Sequence, residues 1–68
     1  MNMTQLRNAR DDARAAALAS AKIPAWRDEY ARWTAADPAL RAEYERACRA
    51  IAAALRGTKY EGANPEYF

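Results

Sequence analysis

Downstream of Pro38 the apolar positions Leu40, Tyr44, Ala47, Cys48, Ile51 and Leu55 recur at helical spacing, while Arg41, Glu45, Arg49 and Arg56 take the opposite side. Such a pattern predicts an amphipathic helix with one dry stripe. Its ends are marked as well. Asp37 offers an N-cap, Pro38 suits the first helical position, and Gly57 stands just after Arg56, where helices commonly terminate. Glu45 precedes Arg49 in the favourable i, i+4 order. The predicted helix covers residues 38–56.

Two weaker patterns precede it. Over residues 4–21, Leu6, Ala9, Ala13, Ala16, Ala17 and Ser20 share one face, and Asn2 or Thr4 can cap the start. Small side chains let another helix approach closely but gain little free energy by their own burial. Pro24 then interrupts, and because proline is tolerated in a first turn, "KIPAWRDEYARW" reads as a new helix over residues 24–35. Trp26, Tyr30 and Trp33 form its apolar stripe, and Ile23 is placed to staple its first turn.

Counted together, positions 26, 30, 33, 37, 40, 44, 47, 51 and 54 alternate by four and three, the spacing of a coiled-coil seam. The seam runs through Asp37-Pro38, where the residue before proline is biased away from helical dihedrals. A turn is therefore expected there, with the second and third helices folding back, stripes facing. Beyond Gly57 the helical period stops, and "TKYEGANPEYF" reads as a non-helical arm over residues 58–68 with aromatics Tyr60, Tyr67 and Phe68. Within it Asn64-Pro65-Glu66-Tyr67 suits a β-turn. The same four residues match the N-P-x-Y pattern that eukaryotic adaptor domains read, and the turn is the reading adopted. The expected fold is all-α: a small helical hairpin or three-helix arrangement in residues 1–57, followed by the arm.

Composition changes this picture in one respect, the size of the core. The chain has 68 residues, 51% of them hydrophobic, but nineteen are alanines and none is valine. A chain of this length buries only about 60% of the surface its unfolded form exposes. The large aliphatics are Leu6, Leu18, Ile23, Leu40, Ile51 and Leu55, so the aromatic residues must supply much of the remaining apolar area. Domains this thin usually need a staple. Cys48 is alone and histidine is absent, which leaves neither an internal disulfide nor an ordinary zinc site. Association with another chain is the staple that remains, and a homodimer is the expectation.

Net charge is +2 with both signs interspersed, so no strong electrostatic partner is implied. No run of residues reaches the length of a membrane span, and no secretory layout stands at the start, which makes a cytoplasmic protein the expectation. An arginine- and alanine-rich, lysine-poor composition points to a GC-rich bacterial or phage genome.

Enzyme chemistry finds little to work with: no histidine, one serine, one cysteine and no glycine-rich phosphate loop. No catalytic residue, metal or cofactor is assigned. Cys48 lies inside the apolar stripe and is read as a packing residue. What stands out is the density of Trp26, Tyr30, Trp33 and Tyr44, since tryptophan and tyrosine dominate interface hot spots. With Arg41, Arg49 and Arg56 as a basic rim, they form the expected partner-binding set. In size and layout the chain is similar to small helical-hairpin regulators of bacterial mobile elements, including plasmid copy-control proteins that dimerise into a four-helix bundle. That resemblance is architectural, covers no specific motif and assigns no residue. The functional expectation is a non-enzymatic phage or mobile-element regulator that inhibits or modulates a bacterial protein by occupying its surface. A nucleic-acid-binding accessory protein using the arginines of the last helix is the alternative. A phage structural or assembly component is the next.

Overall fold

The computed structural model describes residues 1–68 and contains three helices and no strand. The first, α1 (Met3–Ser20), opens with a reciprocal capping box. Asn2 Oδ1 accepts from the Gln5 N–H at 2.9 Å, and Gln5 Oε1 accepts from the Asn2 N–H at 2.9 Å. Of the two caps the sequence offered, Asn2 is used, because Gln5 stands three residues on and can answer it.

At its other end α1 carries no basic residue in its last turn. Its free carbonyls are served by one group from α2 and one of its own. Arg32 Nη2 donates to the Leu18 carbonyl at 3.2 Å, and Ser20 Oγ donates to that of Ala17 at 2.6 Å. A cation near a helix C-terminus is favourable to its dipole as well as to its open acceptors.

The second helix, α2 (Glu29–Thr34), begins five residues later than the expected 24–35. Asp28 Oδ1 accepts from the Tyr30 N–H at 3.0 Å, and Asp28 itself is extended, with ψ 131°. Ahead of it Arg27 N–H closes a turn on the Pro24 carbonyl at 3.0 Å. Two start signals compete here, and the aspartate's local hydrogen bond offers the backbone a stable non-helical alternative. Trp26 is thereby left in the turn and off the stripe.

The third helix, α3 (Pro38–Leu55), starts as expected, with Asp37 Oδ1 accepting from the Ala39 N–H at 2.9 Å and Pro38 in the first turn. Asp37 has ψ 123°, so the chain turns at this point and no continuous rod forms. The packing partner differs from the expected one: α3 lies mainly against α1, not α2. With six residues and no buried side chain, α2 has too little face to cover an 18-residue helix. Helix α1 matches α3 in length, about 27 Å at 1.5 Å per residue.

The two long helices run antiparallel. Ser20, at the end of α1, accepts from the Asp37 N–H at the start of α3, at 2.9 Å. Past the end of α3 the chain returns to the first half of α1, where Arg10 Nη1 donates to the Pro65 carbonyl at 3.1 Å. Between them lie the buried apolar residues Ala17, Ala36, Tyr44, Cys48, Ile51 and Leu55. Ile51 is the one large side chain fully shielded, and the expected stripe neighbours Leu40 and Ala47 are half-buried.

Gly57 has φ +76°, the left-handed conformation that ends a helix at little cost only for glycine. The following residues form successive turns. In the last, the Asn64 carbonyl accepts from the Tyr67 N–H at 3.1 Å and from that of Phe68 at 3.0 Å, while Asn64 Oδ1 accepts from the Glu66 N–H at 2.9 Å. The N-P-E-Y sequence is thus a hydrogen-bonded turn. Phe68 packs against Tyr60 with centroids 5.3 Å apart, and the Arg7 guanidinium lies 5.7 Å above the Phe68 ring.

Candidate functional site

A cleft of about 520 Å³ opens where all three helices meet the C-terminal turns. Helix α1 contributes Asp11 and Arg14, and α2 contributes Glu29, Tyr30 and Trp33. Tyr44 closes it from α3, and the turn at Asn64 brings Glu66 and Tyr67 to its edge. This volume is in the range of roughly 300–1,000 Å³ typical of ligand clefts.

Three of the four expected aromatic anchors converge here. Trp33 meets Tyr44 edge to face, at 5.1 Å between centroids and 73° between planes, an arrangement that suits the quadrupoles of both rings. Tyr30 stays 74% exposed on the border. Trp26, the fourth, does not reach the cleft: it is 78% exposed in the turn before α2, with the Arg27 guanidinium 5.2 Å over its ring. The expected basic rim is also elsewhere. None of Arg41, Arg49 and Arg56 borders the cleft; Arg49 and Arg56 are exposed, and Arg41 is half-buried with its Nε lacking an acceptor.

The charged groups of the cleft are partly paired among themselves. Arg14 forms an ion pair with Glu29 across the α1 and α2 junction. Asp11 accepts from Arg10 Nε at 2.9 Å, and this bond, with Arg7 and Arg14 nearby, holds its carboxyl below the usual value of 3.8. Glu66 has no ion pair. The Tyr44 phenol is pushed up to about 12, chiefly by burial and then by the influence of Cys48. Burial likewise raises the Cys48 thiol, as expected of a packing residue. The carboxylates of the cleft do not converge into a group that could hold a metal ion.

Sequence reasoning assigned no role to Arg10, Asp11, Arg14, Glu29 or Glu66. For Arg10 a signal existed: positions 3, 6, 10, 13, 17 and 20 alternate by three and four, which sets residue 10 on the α1 seam. Its charge argued for the wet face, and the structure buries it to 7% exposure. For Glu66 and Tyr67 the turn was legible but not its destination.

No family model matches the chain, and comparison with curated proteins and with solved structures finds no match. No helix is long and apolar enough to cross a membrane.

Proposed function

We propose that this chain is a non-enzymatic, protein-binding regulator, a phage or mobile-element product that modulates a bacterial host protein in the cytoplasm by occupying its surface. One observation carries the reading: two large aromatics of the same short segment, Trp26 and Tyr30, are 78% and 74% exposed in a chain whose core fully shields a single large side chain. Aromatic area is costly to leave in water, and exposed tryptophan and tyrosine are the residues most often found anchoring interfaces. Beside Tyr30, Trp33 and Tyr44 border the same cleft and pack edge to face. Homodimerisation belongs to the proposal as well, as the staple a small core calls for.

The test is affinity capture from bacterial lysate with the wild-type chain and with Trp26→Ala and Tyr30→Ala, read alongside native mass. Both side chains are exposed, so neither variant should lose far-UV helicity. Expected is a captured protein whose recovery falls by about tenfold or more with each variant, the scale of an interface hot spot. Capture that both variants leave intact would sink the assignment. So would binding to nucleic acid that weakens steeply with salt and is lost with Arg41, Arg49 and Arg56.

A further inference from the structure

We infer that the cleft between the three helices and the C-terminal turn receives an arginine side chain presented by a partner protein. The inference rests on the protein-binding reading and supplies the chemistry of its contact. Four rings, those of Tyr30, Trp33, Tyr44 and Tyr67, border one space. An aromatic face attracts a cation within about 6 Å of its centroid, most strongly where water is partly excluded.

The charges of the cleft select the sign of the guest. Its border carries three carboxylates, Asp11, Glu29 and Glu66, against the single cation Arg14. Glu29 is occupied by Arg14 and Asp11 by Arg10. Glu66 alone is left without an ion pair, an exposed residue on a backbone that is tied down. Its backbone N–H is fixed by Asn64 Oδ1 at 2.9 Å, and the preceding Pro65 carbonyl is tied to the buried Arg10 at 3.1 Å. An exposed, uncompensated anion on a fixed stretch of backbone, bordering the same space as four rings, is complementary to a cation with flat faces.

Among cations the guanidinium fits best. It is planar, stacks on aromatic rings, and donates two parallel hydrogen bonds to one carboxylate. An ammonium would satisfy the charge but not the flat walls. The rim indicates that the guest belongs to a polypeptide. Tyr30 and Tyr67 border the cleft at 74% and 84% exposure, and a single small cation seated between them would leave their outer faces in water. A chain carrying the arginine would cover both.

The inference can be tested on the full-length chain by NMR, following the two indole N–H signals, with Trp33 assigned through Trp26→Phe. The probes are three capped pentapeptides, Gly-Gly-Xaa-Gly-Gly, with Xaa arginine, lysine or citrulline, the last being neutral and nearly isosteric with arginine. Expected is a saturable shift at Trp33 with the arginine peptide, a several-fold weaker response to lysine, and at least about tenfold weaker binding of citrulline. Glu66→Gln should weaken the arginine peptide by about tenfold, and Tyr30→Ala by several-fold, with unchanged far-UV circular dichroism.

Equal binding of citrulline, an unaltered affinity in Glu66→Gln, or no shift at ~10 mM peptide would overturn the inference. So would a dimer that Glu66→Gln dissociates, since the guest would then come from a second copy of this chain. The two proposals fail separately. A captured protein indifferent to Glu66→Gln removes this inference and leaves the regulator reading standing. Peptide binding in the cleft with no protein target removes the regulator reading.

Discussion

Arg10 is 7% exposed, with its Nε donating to Asp11 at 2.9 Å and its Nη1 to the Pro65 carbonyl at 3.1 Å. A guanidinium taken out of water is costly unless its donors are used, and the second of these bonds also anchors residues 64–68 to α1. Arg10→Met keeps most of the apolar stem while removing both bonds. The expected loss is about 2 kcal/mol in urea unfolding, the scale of a hydrogen bond to a charged group. Faster carboxypeptidase release of Phe68 should accompany it, and an unchanged release rate would show that other contacts hold the turn. The same variant should alter the acid limb. The Asp11 carboxyl lies below 3.8 when folded, chiefly through its bond to Arg10. Its contribution is therefore present above the unfolded value and lost as pH falls through the folded one, and Arg10→Met should flatten that loss. Tyr44 gives the opposite sign. Its phenol titrates at about 12 against an ordinary 10, so the stability it contributes is full below pH 10 and is lost as pH rises toward 12. Absorbance at 295 nm should show one phenol titrating late, and Tyr44→Phe should remove it; four phenols titrating together would contradict the burial that raises it.

The third helix was legible because cap, stripe and terminator agree on its boundaries, and the short one was not because its signals conflict. In α3 the Asp37 cap, Pro38 and Gly57 all point to the same ends. In α2, Pro24 and Asp28 each announce a start, and the choice falls to Asp28, whose carboxylate reaches the Tyr30 N–H. That shift took Trp26 off the aromatic stripe, and the short α2 that results cannot be the main partner of α3. The cleft was illegible for a different reason. Its carboxylates stand at positions 11, 29 and 66, and only the return of the chain onto α1 brings Glu66 to the others. No local pattern encodes that juxtaposition. Gly57 offers an element-scale test of the terminator. A Cβ there would meet nothing within 4 Å, so the constraint is its φ of +76° alone. Gly57→Ala should cost about 1–2 kcal/mol in urea unfolding through that strain. A neutral substitution would mean that the turn after Leu55 relaxes to another geometry.

At the scale of the whole molecule, the question is whether an α-hairpin with one fully shielded large side chain stands without its C-terminal turns. Those turns supply the acceptor for Arg10, the Tyr60 and Phe68 pair, and the ring over which the Arg7 guanidinium lies. Deleting residues 62–68 removes all three together. The buried guanidinium then keeps only Asp11, itself an exposed partner. A loss of about 2 kcal/mol corresponds to roughly 8–16 °C in Tm for a domain of this size, since each kcal/mol shifts Tm by about 4–8 °C. Thermal unfolding followed at 222 nm reads that shift directly, and an unchanged Tm would show that the turns lie on the fold without supporting it. Native mass across a concentration series separates two ways of supporting it. If the truncated and full-length chains both run as monomers while Tm falls, the turns brace the α1 of their own protomer. If truncation converts a dimer into monomers, the same segment clasps a neighbour, and the staple that the small core calls for is the second chain.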